Sequence, residues 1–99
     1  MYEYKARVDR VVDGDTVDFI VDLGFSIQSL AFLRLVGVDT PERGHPDWDR
    51  ATFACASLLK EQTSEDGYVV IRTNKTGKYG RWLVEIKGVT DELAKEWPY

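Results

Sequence analysis

The chain has 99 residues, 43% of them apolar, with three Trp, five Tyr and four Phe and a formal net charge of −4 at pH 7. Its length suits one hydrophobic core, so residues 1–99 are expected to form a single domain. The acidic balance argues against a surface that holds polyanions over its whole area, because that mode of binding needs clustered Lys and Arg. Cys55 is the only cysteine, which rules out an intramolecular disulfide and speaks against a thiolate zinc site. No apolar run nears the length of a membrane span and the N-terminus shows no secretory pattern; no membrane association and a cytoplasmic location are expected.

Tyr2, Tyr4, Ala6 and Val8 alternate along a first strand over residues 2–12, and "DGD" at 13–15 is a hairpin turn signal. The return strand, Thr16 to Leu23, sets Val17, Phe19, Val21 and Leu23 against Asp18, Ile20 and Asp22, which predicts one buried and one wet face. A third strand over about 29–38 is apolar on both parities, the pattern of a strand packed on a core and covered by a helix. A helix is predicted from Asp47 to Gln62, with Trp48, Ala51, Cys55, Leu58 and Leu59 on its apolar stripe and Pro46 and Asp47 as its start signal. Two short strands, 68–73 and 81–87, flank the basic loop "NKTGKYG", and "TDELAKEW" forms a last short helix capped by Thr90 or Asp91. The order βββαββα suits a mainly β, α+β fold: a five-stranded OB-type barrel with one main helix after the third strand and a short C-terminal helix.

The charged residues are distributed unevenly. Acids crowd the first hairpin, whereas Arg72, Lys75, Lys78 and Arg81 share a stretch without a carboxylate. In "RLVGVDTPE", Asp39 ends the third strand and Pro41 fixes the exit of the chain, so Asp39 can converge with Asp15 of "DGDT". Two adjacent carboxylates repel unless a cation lies between them or one is protonated. A hard divalent ion accepts such oxygens, with a backbone carbonyl near Thr40 and water completing an open shell. Arg34 shares the parity of Leu30, Phe32, Val36 and Val38, so its guanidinium leaves a mostly apolar surface and must be answered by a phosphate or a carboxylate. Arg81 opens the next strand where it could bracket the same phosphate, and Glu42 lies where it could reach a water near the metal as a general base or orienter. Taken singly, a Glu42 ion pair with Arg34 or Arg43 and an Arg81 that merely caps a strand are the plainer readings.

Three stretches, "VVDGDTV", "LRLVGVDTPE" and "GKYGRWLVEI", match in order and in similar spacing the signature stretches of the staphylococcal nuclease (thermonuclease) family, which the chain resembles over residues 5–87. The resemblance implies a nuclease that hydrolyses phosphodiester bonds of DNA or RNA, single-stranded or flexible, to 3′-phosphate and 5′-hydroxyl ends. It implies Ca²⁺, with Mg²⁺ or Mn²⁺ as alternatives, held by Asp15, Asp39 and the carbonyl of Thr40. Arg34 and Arg81 would clamp the scissile phosphate, Glu42 would act on the attacking water, and Lys78 and Tyr79 would touch a neighbouring phosphate. Trp97 and Tyr99 are candidates for a base pocket. A monomer is the default expectation. The alternatives are a catalytically inactive OB-type module that binds nucleic acid or protein, and a small interaction barrel whose site is a relic.

Overall fold

The computed structural model describes residues 2–76 and 82–99. In chain order the elements are β1 (Tyr2–Asp13), β2 (Thr16–Asp22), β3 (Gln28–Leu35), α1 (Trp48–Gln62), β4 (Val69–Thr76), β5 (Trp82–Glu85) and α2 (Thr90–Glu96). The strands close into a barrel in the order β1-β2-β3-β5-β4. With one main helix after β3 and a short helix at the end, this is the expected α+β OB architecture.

Closure depends on the length of β1. Its first half pairs with β4 (Tyr2↔Thr73 to Ala6↔Val69) and its second with β2 (Lys5↔Asp22 to Asp13↔Thr16). Bulges between Val8 and Arg10 and between Val11 and Asp13 add twist, so one strand serves two neighbours around the curve. The last gap is closed by parallel pairing of β3 with β5, Arg34↔Leu83 and Leu35↔Val84. Inside lie Ala6, Val17, Phe19, Val21, Leu33, Leu35, Ile71 and Val84, and Cys55 and Leu59 of α1 with Leu93 of α2 join the same core. Burial then pushes the Cys55 thiol up to about 12, with a smaller contribution from the charge of Asp15.

The predicted elements shift at their ends for identifiable reasons. β3 stops at Leu35 because Gly37 turns the chain at φ +73°, which carries Val38 inward to full burial and into a bridge with Pro98. β4 runs on to Thr76, and Leu23 leaves β2 for the hairpin tip. α1 starts at Trp48 after Asp47, whose side chain makes no capping bond. α2 follows Val89, and neither Thr90 nor Asp91 caps it: the Thr90 hydroxyl donates back to the Ile86 carbonyl at 3.1 Å.

One expectation is overturned. Among the described residues no helix covers the outer face of β3, where Leu30 is 68% and Phe32 45% exposed; α1 packs against β1 instead. The double apolar parity of β3 therefore encodes a core row and an exposed apolar row.

Candidate active site at the end of β3

The first hairpin turn sits against two other elements. A Cβ on Gly14 would come within 2.8 Å of Thr40 Cγ2 and 3.0 Å of the Ala51 carbonyl oxygen, so glycine is required for close approach. From the far side Trp48 Nε1 donates to Asp13 Oδ1 at 2.6 Å, fastening the first turn of α1 to the turn that carries Asp15.

Asp15 is buried, and each of its oxygens has a partner. Oδ1 accepts from the Thr16 hydroxyl at 3.0 Å, and Oδ2 accepts from the Thr40 amide at 3.3 Å and lies 3.5 Å from Arg34 Nη2. Asp39 reaches the same nitrogen from the other side, Oδ1 to Nη2 3.8 Å, with its own carboxylate largely in solvent. The structure thus brings Asp15, Arg34, Asp39 and Thr40 together. The cation that answers both carboxylates is the Arg34 guanidinium.

Thr40 is buried, and its hydroxyl oxygen has no hydrogen-bond partner among the described residues. Glu42 is exposed, and among the described residues its carboxylate forms no ion pair, neither with Arg34 nor with Arg43. Arg43 instead stacks over the Trp48 ring at 5.1 Å. Trp48 is therefore a half-buried strut more than a core residue. Arg81, Lys78 and Tyr79 lie outside the described residues.

The end of the chain contributes more than the sequence indicated. Arg50 of α1 pairs with Glu96 of α2 and stacks over Trp97 at 4.9 Å; that hydrogen bond raises the Arg50 pKa further. Beyond this clamp the chain runs beside residues 37–39, with Asp39 N–H donating to the Trp97 carbonyl at 3.0 Å and Tyr99 N–H to the Gly37 carbonyl at 3.1 Å. Tyr99, 87% exposed, thereby places its ring 5.7 Å from the Arg34 guanidinium carbon. An aromatic face, a guanidinium and two carboxylates converge on one end of the barrel.

Among the described residues no group of three or more His, Cys, Asp or Glu side chains is gathered for a metal ion. What the site does offer is oxygen only: two carboxylates and the oxygens of Thr40. That set suits a hard divalent cation held through a partial protein shell, and it does not suit zinc.

No family model matches the chain. It is 32% identical over 96 residues, 97% of its length, to Protein ParB of Escherichia coli, of which it covers 48%. Over 81 residues, 82% of its length, it is 30% identical to the Micrococcal nuclease of Shigella flexneri, of which it covers 41%. The chain is similar to a micrococcal nuclease. It spans about half the length of the curated relatives it matches.

Proposed function

We propose that residues 1–99 form a nuclease domain of the staphylococcal nuclease family, which hydrolyses phosphodiester bonds of DNA or RNA with Ca²⁺ as cofactor and leaves 3′-phosphate and 5′-hydroxyl ends. The observation that carries this reading is the convergence of Asp15 and Asp39 on Arg34 Nη2, with the Glu42 carboxylate, unpaired among the described residues, three residues beyond Asp39. The similarity to a micrococcal nuclease supports the same reading.

In this reading Asp15, Asp39 and the Thr40 carbonyl hold the ion, with Mg²⁺ or Mn²⁺ as alternatives. Bound there, it would supply Lewis-acid stabilisation of charge growing on a phosphoryl oxygen. Arg34, which sits between these two carboxylates, would offer its fork to two oxygens of the phosphate. Glu42, at the rim and in water, orients the attacking water and accepts its proton at a carboxylate oxygen. Tyr99 flanks the guanidinium and offers its ring face to a neighbouring base. Arg81, Lys78 and Tyr79 would complete the phosphate contacts.

The test is incubation of the purified chain with heat-denatured DNA and with RNA, in Ca²⁺ and in chelator, with end analysis of the products. Ca²⁺-dependent cleavage leaving 3′-phosphates is expected. Strand binding without cleavage in Ca²⁺, Mg²⁺ or Mn²⁺ would favour the inactive binding module.

A further inference from the structure

The two ends of the barrel differ. α1 lies along the second half of β1, where Leu59 shares a groove with Val8 and Val11. The first half of β1 leads instead to a void of about 300 Å³ that opens to solvent, with Val21, Leu33 and Ile71 buried at its floor. Its rim is aromatic and apolar: Tyr2 is 70%, Trp82 49% and Leu23 46% exposed. Among the described residues no charged side chain lines it.

Beside this mouth the β2–β3 hairpin ends in a tip that stands out from the chain. Leu23 N–H donates to the Ile27 carbonyl and Ile27 N–H to the Gly24 carbonyl, both at 2.9 Å, and between them Phe25 and Ser26 are held at φ 54° and 62°. Phe25 is 98% exposed, so within its own chain the ring packs on nothing and leaves the mouth uncovered. A bulky residue kept in the left-handed region without packing to offset the strain points to a contact outside the chain. Residues 23–33 carry no charge in a chain of which 30% is charged. Two copies of net charge −4 repel over much of their surface, and tip and mouth are where they can meet with least repulsion.

We infer that two copies of this chain pair tip to mouth, the Phe25 ring of each entering the void of the other. Tip and mouth share one rim, so both contacts form across a single two-fold axis, the self-complementary arrangement that closes a dimer. The size fits: a cavity of about 150 Å³ already takes a benzene ring, so the void holds the phenyl group and leaves room for Ile27, itself 55% exposed. The area fits as well. At their exposures Tyr2, Phe25 and Trp82 offer roughly 400 Å² between them, about half of the ~800 Å² that each partner buries in a standard interface, before Leu23 and Ile27 are added. The inference does not depend on the nuclease reading, because the tip and Arg34 lie at opposite ends of the β2–β3 hairpin.

The test is sedimentation equilibrium of the parent chain from about 1 to about 100 μM, upward from the weak end of the affinities that interfaces of this size show. The mass should rise from one chain towards two, and Trp emission should shift to the blue in step as Trp82 leaves water. Phe25→Ser removes the knob at an exposed position and should weaken pairing about 30-fold or more, as loss of a central aromatic anchor does, while Phe25→Trp keeps it. Ser29→Trp, at an exposed position on the mouth, fills the void and should weaken pairing as much with Phe25 intact.

A parent that stays a single chain over the whole range overturns the inference. A dimer that survives Phe25→Ser or Ser29→Trp also overturns it, because the copies would then meet through another surface. So does a parent that remains single while its mouth takes up an apolar dye, which would assign the void to a small ligand.

Discussion

Arg34 Nη2 lies 3.5 Å from Asp15 Oδ2, a half-buried guanidinium beside a buried carboxylate, and Asp39 shares the same nitrogen. Removing the cation leaves Asp15 with two hydrogen-bond donors and no charge partner. Arg34→Gln should therefore cost about 1–3 kcal/mol of stability, the range for a buried polar group left without its partner. If Asp15 and Asp39 hold Ca²⁺, the ion replaces the missing charge, so Ca²⁺ should raise the melting temperature of Arg34→Gln by more than that of the parent. Thermal melts of both proteins with and without Ca²⁺ decide it. Equal shifts would speak against a shared metal and arginine site.

Glu42 offers the cleanest separation of chemistry from folding. It is exposed and forms no ion pair among the described residues, so Glu42→Gln should leave the melting temperature unchanged. As the group that takes the proton of water, its loss should slow hydrolysis by about 10²-fold, with strand binding in chelator intact. A variant that cleaves at the parent rate would remove Glu42 from the mechanism.

Gly14 tests whether the turn is built for its neighbours. Its φ is not positive, so the need for glycine comes from the 2.8 Å and 3.0 Å approaches of Thr40 Cγ2 and the Ala51 carbonyl. Gly14→Ala must push the turn away from α1, at a cost of about 1–3 kcal/mol typical of overpacking. Because Asp15 is the next residue, cleavage should fall as well. Denaturant unfolding and rate measurements on the same variant should show both losses.

How far the sequence reveals this site depends on the range of the forces that shape each part. Parity alone puts Arg34 on the outside of β3, and the turn chemistry of "DGD" and the proline after Thr40 bring Asp15 and Asp39 to one end. These are local rules, and they hold. The helix expected over β3 fails because apolarity on both parities does not say what covers the second face. The tie between Trp48 and Asp13 and the return of Trp97–Tyr99 along residues 37–39 are non-local, set by where α1 and α2 dock.

Cys55 links the core beneath the site to pH. Its thiol is pushed up to about 12, mainly by burial and then by the charge of Asp15, against about 8.5 in an unfolded chain. The folded pKa is the higher one, so the stabilising contribution is complete below about 8.5 and declines as pH rises from there toward 12. Between those values the unfolded chain releases a proton that the folded chain keeps, and stability falls by about 1.4 kcal/mol per pH unit from this group. Urea titrations at pH 8 and 10 should show that fall in the parent and a smaller one in Cys55→Ala. Equal slopes would mean that the thiol titrates alike in both states.

The tip of the β2–β3 hairpin carries strain that a substitution should relieve. Ile27 N–H donates to the Gly24 carbonyl at 2.9 Å, and the two residues between, Phe25 and Ser26, have φ of 54° and 62°. This is the type I′ geometry that favours Asn-Gly, and each non-glycine residue held in the left-handed region costs about 1 kcal/mol. Phe25 is 98% exposed and gives no packing in return. Phe25→Asn with Ser26→Gly should therefore raise the urea midpoint by the equivalent of about 1 kcal/mol, with m unchanged. An unchanged or lower midpoint would show that Phe25 and Ser26 carry no such strain.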